Sequence, residues 1–214
     1  MAEILFAPDR ERIASTNAWA FMHWMRATQV TDVTSWAALQ QYSANRPDAF
    51  SAALAAFAGA RISAEMSAGD LAGLLLHADL RPDDRVVAAG IAWPWPAWRY
   101  ATAVRLETAP DPITAAAEER ASVLVAPAGA LAEATFRRSH RSELGTLRSI
   151  VAVGGPLSAQ ARRRIYTWGK ADVLLLARTA DTFWGNPLEP VLAGPAATPA
   201  FFMSPTSDPA PRCR

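Results

Sequence analysis

A chain of 214 residues has room for one core, or for one core with a helical appendage, because domains usually hold roughly 100 to 200 residues. With 51% hydrophobic and 19% charged residues, the composition excludes extensive disorder and leaves only the last dozen residues loose. A net charge of +1, spread over interspersed acids and bases, supplies no field for nucleic acid or an anionic membrane, and no apolar run reaches the roughly 18 residues of a membrane span.

Helix caps at Ser15, Thr16 and Asn17 precede an apolar series at Trp19, Phe21, Met22, Trp24 and Met25, which predicts a helix with one broad packed face. A second helix is expected from Thr34 or Ser35, carrying Trp36, Leu39 and Tyr42. A third opens at Pro47, carries Phe50, Leu54 and Phe57 and closes near Gly59. From about Ser67 the rhythm changes. A helix over 67–78 leads through the turn Arg81-Pro82-Asp83-Asp84 into a strand over 85–89, followed by strands over 101–106, 121–125, 149–153 and 172–176. Helices are expected between them over 113–120, 128–140 and 158–168. Strands alternating with helices, and buried runs such as Val173-Leu174-Leu175-Leu176, indicate an α/β fold with a largely parallel sheet flanked by helices, preceded by an all-helical N-terminal segment. The expected organisation is a helical cap over 1–62, an α/β core over 66–193 and an extended or disordered tail over 194–214.

Chemistry-bearing residues are sparse. The single cysteine, Cys213, allows neither an internal disulfide nor a cysteine metal site, and the opening residues lack the basic and then apolar run of a signal peptide, so a reducing cytoplasmic setting is expected. Lys170 is the only lysine, which confines amine chemistry to that position. His23, His77 and His140 show no ligand spacing, and no nucleophile elbow is present. The arginine groups Arg137, Arg138, Arg141 and Arg162, Arg163, Arg164 read as solvated helix faces before phosphate contacts. Three places remain. Gly154, Gly155 and Pro156 join a strand to a helix, either as a plain tight turn or as a place where a ligand approaches the backbone. Thr179 and Asp181 follow a strand at the edge where α/β sheets bind ligands, although a loop Asp capping a turn serves as well. Trp95 and Trp98 form either a buried aromatic cluster or the wall of an apolar pocket.

Three stretches resemble the acetoacetyl-CoA synthetase family of adenylate-forming enzymes, which activate carboxylic acids with ATP and pass the acyl group to coenzyme A. The first runs from Ile4-Leu5-Phe6-Ala7-Pro8-Asp9 through Phe21 and Trp36 to Pro47-Asp48-Ala49-Phe50. The second is His77-Ala78-Asp79-Leu80-Arg81-Pro82-Asp83-Asp84-Arg85, followed by Trp95-Pro96-Ala97-Trp98-Arg99-Tyr100, where the family reads Trp-Met-Met-Trp-Asn-Tyr. The third runs from Leu147-Arg148-Ser149-Ile150 through Gly154-Gly155-Pro156-Leu157-Ser158 to Phe183-Trp184-Gly185-Asn186-Pro187-Leu188-Glu189-Pro190-Val191.

The resemblance implies adenine contacts at Gly154, Gly155 and Pro156, phosphate and magnesium contacts at Thr179 and Asp181, and an acyl pocket at Trp95 and Trp98, with ATP or AMP and magnesium as the ligands. It also marks departures. Ala180 stands where the family places Thr. Residues 60–70 hold no Thr-, Ser- and Gly-rich phosphate loop ending in Pro-Lys. After Val191 the family's ribose-binding Asp, hinge and lysine-bearing C-terminal domain do not follow. The expectation is therefore a degenerate acyl-CoA synthetase-like protein that binds an adenine nucleotide or acyl ligand weakly and does not adenylate acids. Two alternatives stand beside it. One is an interaction module pairing with itself or with a full-length ligase, and the other is a ligase subunit completed by a partner.

Overall fold

The computed structural model describes residues 3–28, 30–59, 71–91, 102–106, 111–135, 137, 139–169, 172–178 and 183–193. A short strand β1 (Ile4–Phe6) and helix α1 (Arg10–Ala14) precede the helical unit. The sequence expectation had neither, since three residues and five residues are too short to show a period. The next three helices start where their caps predict. In α2 (Asn17–Ala27) the Thr16 hydroxyl accepts from Trp19 N–H, and in α3 (Trp36–Asn45) Ser35 accepts from Ala38 N–H. Helix α4 (Pro47–Ala58) has proline in its first turn, where no amide hydrogen is needed, and ends at Gly59 with φ 60°. Their apolar faces, with Phe21, Met25, Leu39 and Leu54 fully buried, close around α5, a π-helical turn over Gly73–His77. Burying each such side chain stabilises by about 2 kcal/mol. The predicted stretch 67–70 of this helix lies outside the described residues.

The second half is a sheet ordered β3-β2-β4-β5-β6-β7, made of β2 (Arg85–Ala89), β3 (Thr102–Leu106), β4 (Val123–Pro127), β5 (Ser149–Val153), β6 (Leu174–Arg178) and β7 (Phe183–Trp184). The first five strands run parallel and β7 pairs antiparallel with β6. The α/β class follows as expected. Strands β2 and β5 fall on their predicted residues, whereas β4 and β6 each begin two residues late. For β4 the reason is local: the Ser122 hydroxyl accepts from Arg85 N–H at 2.8 Å, which binds residue 122 to the neighbouring strand as a turn.

Helices α6 (Pro112–Glu118), α7 (Ala128–Glu133), α8 (His140–Glu143) and α9 (Ala159–Arg164) connect the strands. The single helix expected over 128–140 is broken. Asp111 caps α6 through Oδ1 and, with Oδ2, accepts from Thr135 N–H at 2.7 Å, drawing the chain out of helix at Ala134. Helix α9 passes into a π-helical turn over Ile165–Gly169. Its Arg162 is not a solvated side chain: it is 6% exposed and donates to the carbonyls of Leu157 and Leu192. Burial lowers its pKa, with the nearby Tyr166 opposing the shift. A last strand, β8 (Val191–Leu192), pairs antiparallel with β1, and Phe6 of that ribbon stacks on Tyr166 in the π-helical turn after α9.

Contacts at His77 and at Asp79 join the helical unit to the sheet. His77 is fully buried, meets Trp36 edge to face at 5.0 Å and donates from Nδ1 to the Gly185 carbonyl beyond β7 at 3.0 Å. Asp79, in the left-handed region at φ 51°, ends the π-helical turn and accepts from Asn17 N–H at 2.7 Å, at the amino end of α2. The same carboxylate meets Arg81 at 3.0 Å and Arg148 at 2.9 Å, and Arg148 also reaches Asp84 at 2.6 Å. Burial disfavours the Arg148 cation, but Asp84 and Asp79 outweigh burial and raise its pKa above the ordinary value.

Burial lowers the His77 pKa to about 4, against the weaker upward pull of the Gly185 carbonyl. The unfolded chain takes up this proton near pH 6.5 and the folded chain resists it until about pH 4. Stability is therefore complete above pH 6.5 and declines as pH falls, by about 3 kcal/mol at pH 4. Urea midpoints measured from pH 7.5 to 4.5 should show this slope, and His77→Gln, which keeps a donor for Gly185, should flatten it. Replacing Arg148 with Met leaves two buried carboxylates without that cation and should cost about 3 kcal/mol in urea unfolding at pH 7. Adding Asp84→Asn should return part of the loss.

Candidate functional site

The carboxyl ends of the parallel strands form one edge of the sheet. Strands β2 and β4 lie side by side and parallel, but the chain proceeds from β2 to β3 on one side and from β4 to β5 on the other, and crevices at such a switch in strand order are where ligands of open α/β sheets bind. Strand β2 runs into Gly90 at φ 68°, β4 ends at Pro127 and β5 ends at Val153, which pairs with Pro127. Gly154 and Gly155 follow at φ 101° and 133°, conformations that side-chain-bearing residues rarely adopt. No atom beyond their chain neighbours lies within 4 Å of where a Cβ would stand at either glycine. Gly154 and Pro156 are exposed and Gly155 is buried, and Ser158 then caps α9 by accepting from Ala161 N–H at 3.2 Å. The turn thus presents bare backbone beside open space. A flat polar group could approach it there. Of the other residues expected at this edge, Thr179, Asp181, Trp95 and Trp98 lie outside the described residues, as do Lys170 and the tail over 194–214.

The amino ends of the strands form the opposite edge and hold a site that sequence reasoning did not single out. An open cleft of about 400 Å³ lies between β1, α1 and the starts of β5 and β6. Its floor is the Asp79, Arg81 and Arg148 cluster, and its walls include Phe6, Ser149, Leu174 and Pro187. Arg12 stands over the Phe6 ring at 5.1 Å and donates from Nη2 to the Arg148 carbonyl at 3.2 Å. Its pKa is lowered, chiefly by burial, with Arg148 and Arg81 adding to that effect and Asp172 and Asp79 opposing it. Ser149 is buried and, among the described residues, its hydroxyl has no hydrogen-bond partner. The sequence signal was slight: a charged residue directly before a buried strand that opens on a hydroxyl. No group of three or more metal-ligating side chains is found among the described residues, and none of their helices is long and apolar enough to cross a membrane.

No protein-family model matches the sequence, and no curated protein does. Among solved structures, 43 chains match. One is acetoacetyl-CoA synthetase from Streptomyces lividans, 20% identical, with a TM-score of 0.46 over 58% of this chain. The match spans 23% of that enzyme's length, and at this identity and overlap it assigns no residue a role.

Proposed function

We propose that the chain is a binding core of the adenylate-forming type, which takes an adenine nucleotide or an acyl ligand at the carboxyl edge of its sheet and by itself does not activate an acid. The observation that carries this reading is the Gly154–Gly155 turn. It stands at the ligand-binding edge of a parallel sheet with positive φ at both glycines and open space above both. It is also the loop that, in the resembled family, contacts adenine. Backbone amides and carbonyls there can pair with the polar edge of a planar base without a charged side chain.

The second half of the proposal rests on charge. Adenylation develops negative charge at the α-phosphate, and enzymes meet it with cations placed in advance. Residues 60–70 supply no Gly-, Ser- and Thr-rich loop, and the only lysine of the sequence is Lys170, four positions before β6. Lacking both a phosphate loop and a lysine at the phosphate withholds several kcal/mol of transition-state stabilisation, which is a rate loss of a thousandfold or more at roughly 1.4 kcal/mol per decade.

Calorimetric titration of the full chain with AMP, ATP and coenzyme A, at concentrations up to the order of millimolar, tests the binding half. Heat with at least one of the nucleotides is expected, weakened at least about tenfold in Gly155→Val, where a β-branched side chain meets a backbone that disfavours it. No heat with any of the three would remove the reading. Pyrophosphate release from ATP with short carboxylic acids should stay at background, and its appearance would overturn the second half alone.

A further inference from the structure

The two sides of the amino-edge cleft are held very differently. One side is the sheet, where Ser149, Leu174 and Pro187 are buried and β5 and β6 each lie between two other strands. The other side is the amino-terminal segment, which contributes Phe6 and Ala7. Among the described residues its strand β1 pairs only with the two residues of β8, and an isolated two-stranded ribbon is marginal in water. Strand β8 belongs to the body of the molecule: Val191 and Ala193 are buried, and the Leu192 carbonyl accepts from Arg162. Strand β1 does not. Ile4 is 60% exposed, and Glu3 meets Arg163 at 2.7 Å in an open ion pair of the kind that stabilises little. Apart from the pairing with β8, which Ala193 N–H extends by donating to the Glu3 carbonyl at 2.8 Å, the strand is held by the Phe6 ring. That ring stacks on Tyr166 at 6.4 Å and has the Arg12 guanidinium over it at 5.1 Å. Beyond Pro8 the chain is fixed again, because Asp9 caps α1 by accepting from Arg12 N–H at 2.8 Å and Arg12 donates to the Arg148 carbonyl.

We propose that residues 3–8 are a strap that opens and closes over the amino-edge cleft as one unit, by release of β1 from β8 and of Phe6 from Tyr166, while the sheet and α1 stay folded. Segments with few buried apolar contacts open locally at a free energy below that of global unfolding, and β1 is such a segment. The chain bends at Ala7 and Pro8, between the Phe6 ring and the cap at Asp9. Phe6 is the latch, since its ring meets the body at Tyr166 and α1 at Arg12. In the closed state Phe6 and Ala7 wall the cleft. In the open state the cleft loses that wall, Tyr166, 7% exposed when closed, meets water, and the pairing edge of β8 is freed. The bond from Ala193 to Glu3 makes these events one, because β8 cannot be uncovered without opening the cleft.

The test is amide hydrogen exchange of the full chain at pH 7, resolved by NMR. The hydrogen-bonded amides between β1 and β8, Ala193 among them, are expected to share one protection factor, at least about a hundredfold below that of the amides in β5. Low concentrations of urea should leave the ribbon's exchange unchanged while speeding that of β5, since a local opening exposes little surface. Phe6→Ala should lower protection of the ribbon, Ala193 included, at least about tenfold and leave β5 as it was. Glu3→Gln, which removes an ion pair already in water, should change the ribbon less than about threefold. Ribbon amides as well protected as those of β5, Ala193 protection unaltered in Phe6→Ala, or a loss in β5 equal to that of the ribbon in the same variant would each overturn the proposal. The comparison of β1 with β5 in the unsubstituted chain decides the matter even if Phe6→Ala folds poorly.

Discussion

The contact on which the rest of the molecule depends is the one between Arg148 and the carboxylates of Asp79 and Asp84. Arg148 precedes β5, Asp84 precedes β2, and Asp79 ends the helical turn that leads out of the N-terminal unit. One guanidinium therefore fixes where two strands of the sheet begin and where the helical unit is attached. Bringing these charges out of water is expensive, and the arrangement holds because nearly every polar atom in it has a partner. Asp79 alone accepts from Asn17, Arg81 and Arg148, and its backbone carbonyl accepts a further bond from Arg148.

That cluster also explains the difference between the two edges of the sheet. At the amino edge, side chains carry the polarity, and satisfying Asp79 and Asp84 uses up Arg81 and Arg148 while leaving Arg12 and Ser149 with capacity to spare. At the carboxyl edge, backbone does the work. Gly90, Gly154 and Gly155 hold positive φ, so the chain leaves each strand in a sharp bend that bears no side chain. The first edge is polar through its side chains and the second through its backbone.

His77 shows how a residue without a local signal becomes structural. In the sequence it is one of three scattered histidines, with no spacing that suggests a ligand. In the fold it touches Trp36 from the helical unit and the Gly185 carbonyl from the strand region, and its burial removes it from the usual histidine range. Trp36, His77 and Gly185 are distant in the chain, His77 and Gly185 by 108 residues, and only the fold brings them together.

Much of the fold was legible without coordinates, because the information is local. The caps Thr16, Ser35 and Pro47 mark the starts of three helices through hydrogen bonds spanning three residues or through a fixed φ, and the runs 85–89 and 149–153 are strands because β-branched, buried side chains fit no other element there. The glycine turn at Gly154 was equally plain, since two adjacent glycines mark a backbone that side-chain-bearing residues rarely adopt, here φ 101° and 133°. What tertiary structure alone decided was long-range pairing. Asp111 breaks the predicted helix at Ala134 across 24 residues, Arg162 turns inward to satisfy carbonyls at Leu157 and Leu192, and Ile4–Phe6 becomes a strand only because Val191–Leu192 comes to lie beside it. The amino-edge cleft belongs to this second group: Arg12 and Ser149, 137 positions apart in the sequence, come to line one cleft only through the fold.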